Sequence, residues 1–244
     1  LMKKKIFIST GGSGGHVIPA TIFYEHLKNE FDVFLITDER GKKFLNLKED
    51  KIKIINTPKL KNNFFLLPFN LLLIFFLIIK SLFFIRKNNI NILISTGGYM
   101  SLPLCISAKI LNLKIYLFEP NMVLGRANLF FLKYSKKIFC YSDNLKNFPK
   151  RYLNKIIVIN SLLRKKFYSM KFDNKDIADQ VKLLIIGGSQ GAKFFDKEVK
   201  NAIIDLSKKY KLKVYQQTNN ENLETLKNFY NSKNIDHQLF NYKE

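Results

Sequence analysis

Three glycine clusters follow strand-like apolar runs in this chain, and a histidine closes the first of them. They are Gly11-Gly12-Ser13-Gly14-Gly15-His16, Gly97-Gly98-Tyr99 and Gly187-Gly188-Ser189-Gln190-Gly191. A glycine turn between a strand and a helix leaves backbone N–H groups facing outward at the helix N-terminus, where the positive end of the helix dipole also lies. Phosphate oxygens can be held there without a side-chain cation. One such turn also serves ordinary chain reversal. Three at the same point of successive strand–helix units mark the end of an open α/β sheet at which ligands bind. His16 borders the first loop, and imidazole as a type titrates near pH 6.5, which suits a general base or a group that orients a hydroxyl. The blander role for His16 is a backbone hydrogen bond within the loop. His26 falls inside a helical stretch and His237 near a terminal strand, both structural or exposed positions.

A nicotinamide-type dinucleotide site is the competing chemistry. Gly12-Ser13-Gly14 supplies the first two glycines of G-x-G-x-x-G, and Asp38 lies near the end of the second predicted strand. Val17 stands at the third glycine position, which breaks the fingerprint. A dinucleotide also needs one such loop, not three.

The elements that must position these loops alternate in type. Strands are predicted at Lys5–Ser9, Val33–Thr37, Ile52–Ile55, Ile90–Ser95, Ile115–Phe118 and Ile138–Tyr141, with amphipathic helices such as Val17–Lys28 and Ser101–Leu111 between them. A second series opens at Val181–Ile186, runs through a helical segment to Tyr210, and continues with Leu212–Gln216, a helix near Leu223–Tyr230 and a weak strand near His237–Phe240. Strand–helix alternation predicts parallel, doubly wound sheets. Charge and turn formers between Asn160 and Lys175 separate the two series. The expected domains are therefore 1–163 and 164–244, the second lacking closing elements.

Composition limits the remaining choices. With 47% hydrophobic and 25% charged residues the chain is globular in type, which excludes a disordered tail. Cys105 and Cys140 lie far apart with no C-x-x-C, which excludes a zinc ribbon or disulfide scaffold and points to a reducing compartment. The start runs from lysines straight into a strand, so no signal peptide is expected. The net charge of +22 suggests nucleic acid or an anionic membrane. The excess is spread along a Lys-, Asn- and Ile-rich chain with no nucleic-acid motif, so no nucleic-acid partner is expected. The most apolar stretch, Phe64–Ile85, is interrupted by Pro68 and Asn70, and its longest purely apolar run is Leu71–Ile79. A spanning helix needs about 20 apolar residues. Lys59, Lys61, Lys80, Arg86 and Lys87 flank it, as interfacial docking on anionic lipid requires; a helix buried on all sides is the alternative.

At the glycine loops the sequence resembles a known family. Thr10-Gly11-Gly12-Ser13-Gly14-Gly15-His16-Val17-Ile18-Pro19-Ala20 resembles the amino-terminal loop of the MurG family, the peripheral membrane N-acetylglucosaminyltransferases of peptidoglycan synthesis. Gly97-Gly98-Tyr99-Met100-Ser101-Leu102-Pro103 is similar to its second loop, Glu119-Pro120-Asn121-Met122-Val123-Leu124-Gly125 to its H-E-Q-N segment, and Gly187-Gly188-Ser189-Gln190-Gly191-Ala192 to the loop opening its second domain. Four motifs in order are far more specific than one glycine loop. They cover about the first two thirds of a family member.

The resemblance implies a GT-B fold, two Rossmann-like domains with the active site in the cleft between them. It implies inverting transfer of N-acetylglucosamine from UDP-N-acetylglucosamine to the 4-hydroxyl of the muramic acid sugar of lipid I (undecaprenyl-pyrophosphoryl-muramyl-pentapeptide), giving lipid II at the cytoplasmic face of the bacterial inner membrane. It places donor contacts at Ser13, Gly14, Gly15, Asn121, Arg164 and Ser189. His16 is the candidate base and Glu119 the fallback. The loops at Gly11, Gly12, Gly97, Gly98 and Tyr99 would cradle the acceptor diphosphate, and those at Gly187, Gly188, Gln190 and Gly191 the donor's. No cofactor is implied, and no D-x-D pair is present to hold a metal. Helix N-termini must then stabilise the leaving diphosphate.

Three positions depart from the family pattern. Asn160-Ser161-Leu162-Leu163-Arg164 replaces G-N-P-x-R, Pro120 stands where a Gln is usual, and Asn241 replaces an apolar donor contact. Two other functions compete with the transferase: a noncatalytic or split-enzyme subunit completed by a separate chain, and a nucleotide-binding oxidoreductase. The 244 residues alone are expected to be inactive.

Overall fold

The computed structural model describes residues 3–45, 52–58, 67–170 and 180–241, without the side chains of 67, 166 and 188–192. It divides into a first unit, Leu1–Met170, and a second, Lys171–Glu244. The first unit contains β1 (Lys5–Ser9), α1 (Gly14–Leu27), β2 (Asp32–Thr37), α2 (Glu39–Lys42), β3 (Ile52–Ile54), α3 (Leu67–Lys87), β4 (Ile92–Ser95), α4 (Leu102–Ile110), β5 (Lys114–Glu119), α5 (Arg126–Phe131), β6 (Lys137–Cys140), β7 (Ile156–Val158) and α6 (Lys165–Tyr168). The second contains β8 (Val181–Ile185), α7 (Gly188–Glu198), α8 (Lys200–Ser207), β9 (Leu212–Gln217), α9 (Leu223–Ser232) and β10 (Asp236–Phe240).

The seven strands of the first unit lie in the order β3-β2-β1-β4-β5-β6-β7 and pair in parallel throughout. Alternate residues of β1 serve opposite faces. Ile6 and Ile8 pack with Ala20 and Tyr24 of α1, while Phe7 packs with Ile85 of α3 and Leu104 and Cys105 of α4. A parallel sheet covered on both faces explains why its strands read as nearly continuous apolar runs. The second unit is a smaller parallel sheet, β10-β9-β8, built around Ile185, Ile203, Val214, Leu226 and Tyr230.

Helix ends are set by asparagine here. Asn89, Asn112 and Asn234 follow α3, α4 and α9 with φ of 51°, 55° and 52°. The next residue's N–H reaches back in each case, Ile90 to the Ile85 carbonyl, Leu113 to Ala108 and Ile235 to Tyr230. These are Schellman closures, with asparagine in the left-handed position that glycine usually takes.

Several elements differ from their predicted form. α1 starts at Gly14, three residues before Val17, so Gly14, Gly15 and His16 form its first turn. The helical segment running to Tyr210 is two helices, α7 and α8, joined at Val199. Residues 164–170 group with the first unit rather than the second. They are fastened there by His26 Nε2, 3.1 Å from the Leu163 carbonyl oxygen, and by the edge-on contact of the His26 and Tyr168 rings.

α3 is neither buried on all sides nor free. Ile74, Ser81 and Ile85 are buried, Ser107 Oγ of α4 donates to the Ile78 carbonyl at 3.0 Å, and the Phe84 ring meets Phe7 and Phe34. The opposite side exposes Phe69, Leu71, Leu72, Phe75, Phe76 and Phe83. By length and composition Pro68–Lys87 is long and apolar enough to cross a membrane, and only 17% of its most apolar window is buried. Lys59, Lys61 and the start of the predicted apolar stretch lie outside the described residues.

Candidate functional site

Strand order dictates where the first two glycine loops meet. The chain leaves β1 for β2 on one side and returns to β4 on the other, so the loops after β1 and β4 emerge side by side at the carboxyl edge. This is the switch point at which open α/β sheets bind ligands. The loops are stitched together there. Thr96 N donates to the Ser9 carbonyl at 3.1 Å, and Thr96 Oγ1 to Thr10 Oγ1 at 2.8 Å.

Only glycine fits the closest approach. Gly97 and Gly98 have φ of +87° and +81°, and a Cβ on Gly98 would lie 3.2 Å from the Gly11 carbonyl oxygen. Gly11 packs equally tightly, its Cβ position lying 2.9 Å from Met100. Ser13 is the N-cap of α1 but makes no side-chain cap bond, which leaves its hydroxyl out of that role. The first N–H groups of a helix have no intrahelical partners. In α1 they sit at Gly14 and Gly15.

His16 bridges the two loops. Its Nδ1 is 2.7 Å from the Thr96 carbonyl oxygen. A carbonyl only accepts, so Nδ1 carries the proton. In the neutral ring Nε2 is then an acceptor, the form required of a base.

The β5 loop closes the third side. Glu119 is buried and accepts from Asn121 N at 3.2 Å, Asn121 Nδ2 at 2.9 Å, Gly125 N at 2.8 Å and Asn128 Nδ2 at 2.9 Å. Its four bonds hold the 121–125 loop, which makes the fallback base a scaffold rather than an open proton acceptor. Asn121 is exposed, with Oδ1 outside those bonds. Asn128, which the sequence did not single out, lies against the second loop: a Cβ on Gly97 would sit 3.3 Å from its Nδ2 and 3.5 Å from the His16 ring. Asn128 Oδ1 is buried without a hydrogen-bond partner.

Asp38 and Arg40 were also missed as site residues. Asp38 Oδ1 accepts from Gly12 N at 3.0 Å and Gly41 N at 2.8 Å, and its Oδ2 pairs with Arg40 at 2.6 Å. Arg40 Nη2 also donates to the Tyr99 hydroxyl, and its guanidinium lies 5.1 Å from the Tyr99 ring centre. Burial works to raise the Asp38 carboxyl, but the bonds from Gly12, Arg40 and Gly41 with the Arg40 charge outweigh it and hold the group below its ordinary 3.8. The bond from Asp38 raises Arg40, while burial raises Tyr99. Burial pushes both thiols, Cys105 and Cys140, up to about 12, so neither is a nucleophile at neutral pH.

In the second unit Gly187 is the N-cap of α7 and donates its N–H to Gln217 Oε1 at 3.1 Å. Gly188, Ser189, Gln190 and Gly191 form the first turn of α7; their side-chain surroundings lie outside the description. Behind this turn the buried Asp196 accepts from Gln216 at 3.0 Å, Thr218 at 3.0 Å and Asn222 at 2.7 Å. Asn241 Nδ2 donates to Asn220 Oδ1 at 2.9 Å. Arg164 precedes α6 in the first unit, and among the described residues no hydrogen bond joins it to the glycine loops. No group of three or more His, Cys, Asp or Glu among the described residues could hold a metal ion.

The arrangement thus presents backbone N–H groups, an imidazole acceptor and a guanidinium around one edge. It can bind a phosphate-bearing ligand and take a proton from a hydroxyl beside it.

Comparisons with known proteins agree with this topology. Residues 6–140 match the profile of the Glycosyltransferase family 28 N-terminal domain, and 182–244 that of the Glycosyltransferase family 28 C-terminal domain. A Pelagibacter ubique (strain HTCC1062) protein named UDP-N-acetylglucosamine--N-acetylmuramyl-(pentapeptide) pyrophosphoryl-undecaprenol N-acetylglucosamine transferase is 60% identical over 100% of this chain and 68% of its own length. A protein of the same name from Rickettsia bellii (strain RML369-C) is 34% identical, over 97% and 67%. The crystal structure of Acinetobacter baumannii MurG superposes with a TM-score of 0.70 at 20% identity, covering 99% of this chain and 68% of that one. A UDP-GlcNAc 2-epimerase from Neisseria meningitidis, solved bound to UDP-GlcNAc, superposes at 0.59 with 14% identity, over 98% and 72%. Structural likeness at these identities shows the two-unit α/β fold and no more.

Proposed function

Because the chain belongs to the MurG branch of glycosyltransferase family 28, we propose that the complete protein transfers N-acetylglucosamine from UDP-N-acetylglucosamine to the 4-hydroxyl of the muramic acid sugar of lipid I. The observation that carries this reading is His16 held by Thr96 between two abutting glycine loops. In this mechanism the paired loops seat the acceptor diphosphate. His16 Nε2 takes the proton from the attacking hydroxyl as that oxygen bonds to the anomeric carbon from the face opposite UDP, inverting the centre. The bond to UDP breaks, and the N–H groups at the start of α7 take up the charge on the leaving diphosphate, a role for preorganised donors. Asn121 and Arg164 are donor contacts in this reading, as are Ser13, Gly14, Gly15 and Ser189.

The same reading puts the protein on the cytoplasmic face of the inner membrane, docked through the exposed side of α3. The hydrogen bond from Ser107 of α4 to α3 and the Phe84 ring contacts favour lying on the surface over spanning it, since insertion would strip them. Lys80, Arg86, Lys87 and Lys53 supply the positive rim. Burial lowers Lys53, and the neighbouring charges of Lys80 and Lys87 lower it further.

The test is transfer of radiolabelled N-acetylglucosamine from its UDP donor to a short-chain lipid I analogue by a chain completed with the remaining third of the Pelagibacter relative. Formation of the disaccharide product is expected. Hydrolysis or epimerisation of the donor without transfer would overturn the proposal.

A further inference from the structure

We propose that Arg40 is the cation of the diphosphate subsite at the junction of the first two glycine loops, and that Asp38 is the positioning residue that aims it. The proposal rests on the acceptor site described above and names the side chain that gives it charge.

The need for a cation follows from the loop itself. The N–H of Gly12 is spent on Asp38 Oδ1, so it is not offered to a ligand. The dipole of α1 supplies only roughly half a positive charge, against the multiple charges of a diphosphate. Arg40 is the guanidinium placed to make up the difference. Its Nη2 stands 3.6 Å from where a Gly12 Cβ would be, against the first loop, and reaches Tyr99 of the second.

The way the group is held points outward. Nε and Nη2 both bond Asp38 Oδ2, at 3.0 and 2.6 Å, and Nη2 also bonds the Tyr99 hydroxyl, with the guanidinium 5.1 Å from that ring's centre. Those bonds use the Nε/Nη2 edge, and the second Nη2 hydrogen goes to the Tyr99 hydroxyl, which leaves the Nη1 hydrogens outside them. The Arg40 side chain is 42% exposed, whereas that of Asp38 is 5% exposed. The pair is neutral in sum but oriented, carboxylate inside and guanidinium at the surface, so an arriving anion meets the positive end. The fixed plane aims Nη1 at the junction, which a mobile ammonium cannot reproduce. Beyond capping α2 through Gly41, the pair ties its carboxylate to Gly12 of the first loop and its guanidinium to Tyr99 of the second, which an ordinary surface ion pair would not need.

Calorimetric titration of the 244-residue protein with inorganic pyrophosphate and with farnesyl diphosphate tests the assignment, with thermal melting to confirm folding of each variant. Wild type is expected to bind both ligands. Arg40→Gln should weaken binding roughly tenfold, the loss of a charge-assisted hydrogen bond, and Arg40→Lys should fall between, since charge is kept and the fixed plane is lost. Asp38→Asn separates positioning from charge. It makes the site more positive, so a carboxylate that only neutralises would on removal tighten binding, whereas a positioning carboxylate would on removal weaken it. Wild-type binding that Arg40→Gln and Arg40→Lys leave unchanged overturns the role of Arg40 while the acceptor site stands. Failure of the wild type to bind either diphosphate overturns the acceptor site and Arg40 with it. Tighter binding by Asp38→Asn overturns the positioning role.

Discussion

His16 Nδ1 sits 2.7 Å from the carbonyl oxygen of Thr96, so the histidine of the first glycine loop is anchored on the strand end that launches the second. The bond fixes both the plane of the ring and the position of its proton. In a completed enzyme, His16→Ala should lower kcat by roughly 10²–10⁴, the usual contribution of a positioned base. A group acting in the transition state affects kcat, whereas uniform binding groups act on KM. Steady-state kinetics against a lipid I analogue and donor make the measurement, and a near-normal kcat would reduce His16 to a loop-shaping residue.

The glycines divide by what a methyl group would strike. Gly41→Ala would place Cβ 2.0 Å from Thr37 Oγ1, and Gly98→Ala would force a side chain onto a φ of +81° against the Gly11 carbonyl. Each should cost about 1–3 kcal/mol in urea unfolding. Gly15→Ala meets nothing nearer than Ser13 Oγ at 3.8 Å and lies within α1, so it should stabilise the fold by about 0.5–1 kcal/mol.

Acid stability should depend on Asp38. The folded carboxyl titrates below its ordinary 3.8, so the ionised group stabilises the fold above that value, and the contribution is lost as pH falls through the lowered folded value. Urea midpoints measured from pH 7 to pH 3 should drop more steeply below pH 4 in wild type than in Asp38→Asn. Parallel acid limbs would show that the carboxyl is not held ionised by its partners.

The exposed side of α3 makes a separable prediction. Phe75→Glu with Phe76→Glu changes side chains that are 57% and 58% exposed, so unfolding free energy should move by less than about 0.5 kcal/mol per site. Sedimentation with anionic vesicles should fall sharply in the double variant. Wild-type binding should weaken with salt, because each nearby Lys or Arg contributes about 1 kcal/mol that ions screen. Binding indifferent to salt and to both substitutions would remove α3 from the membrane contact.

The outer edge of β8 carries the fifth prediction. Among the described residues β8 pairs only with β9, and Leu184 and Ile186 are 61% and 60% exposed. An open apolar strand edge invites pairing with other chains. The 244-residue protein should therefore self-associate at high concentration. A sample that stays monodisperse at high concentration would contradict it.

Local features were readable in the chain, and those made by distant pairing were not. β1, β2, β4 and β5 announce themselves as apolar runs ending in glycine or polar turns. The loops at Gly11–Gly15 and Gly97–Gly98 were legible as glycine clusters after strands, and Gly12, Gly97 and Gly98 do take the positive φ that favours glycine. β7 is three residues long and follows a tight 3₁₀ turn, Lys150–Lys155, too short a run for alternation to register. The start of α1 at Gly14 was hidden because two glycines argue against a helix. Arg40 and Tyr99 are 59 residues apart, and only the β2-β1-β4 order brings them together. No motif marks Asn128 in the sequence; α5 places it against Gly97.

That strand order has a kinetic side. Every neighbouring pair in the seven-stranded sheet is consecutive in the chain except β1 and β4. Thr10 and Thr96, which close the seam, are 86 residues apart. Bringing them together costs the largest loop-closure entropy in the sheet, and such long-range contacts form late. The nascent first unit is then two hairpin-free halves, β1–β3 and β4–β7, each able to grow from short crossovers before they dock. Docking brings the two glycine loops together, so a ligand held by both opposes separation of the halves. Diphosphate binding should slow unfolding far more than it speeds folding.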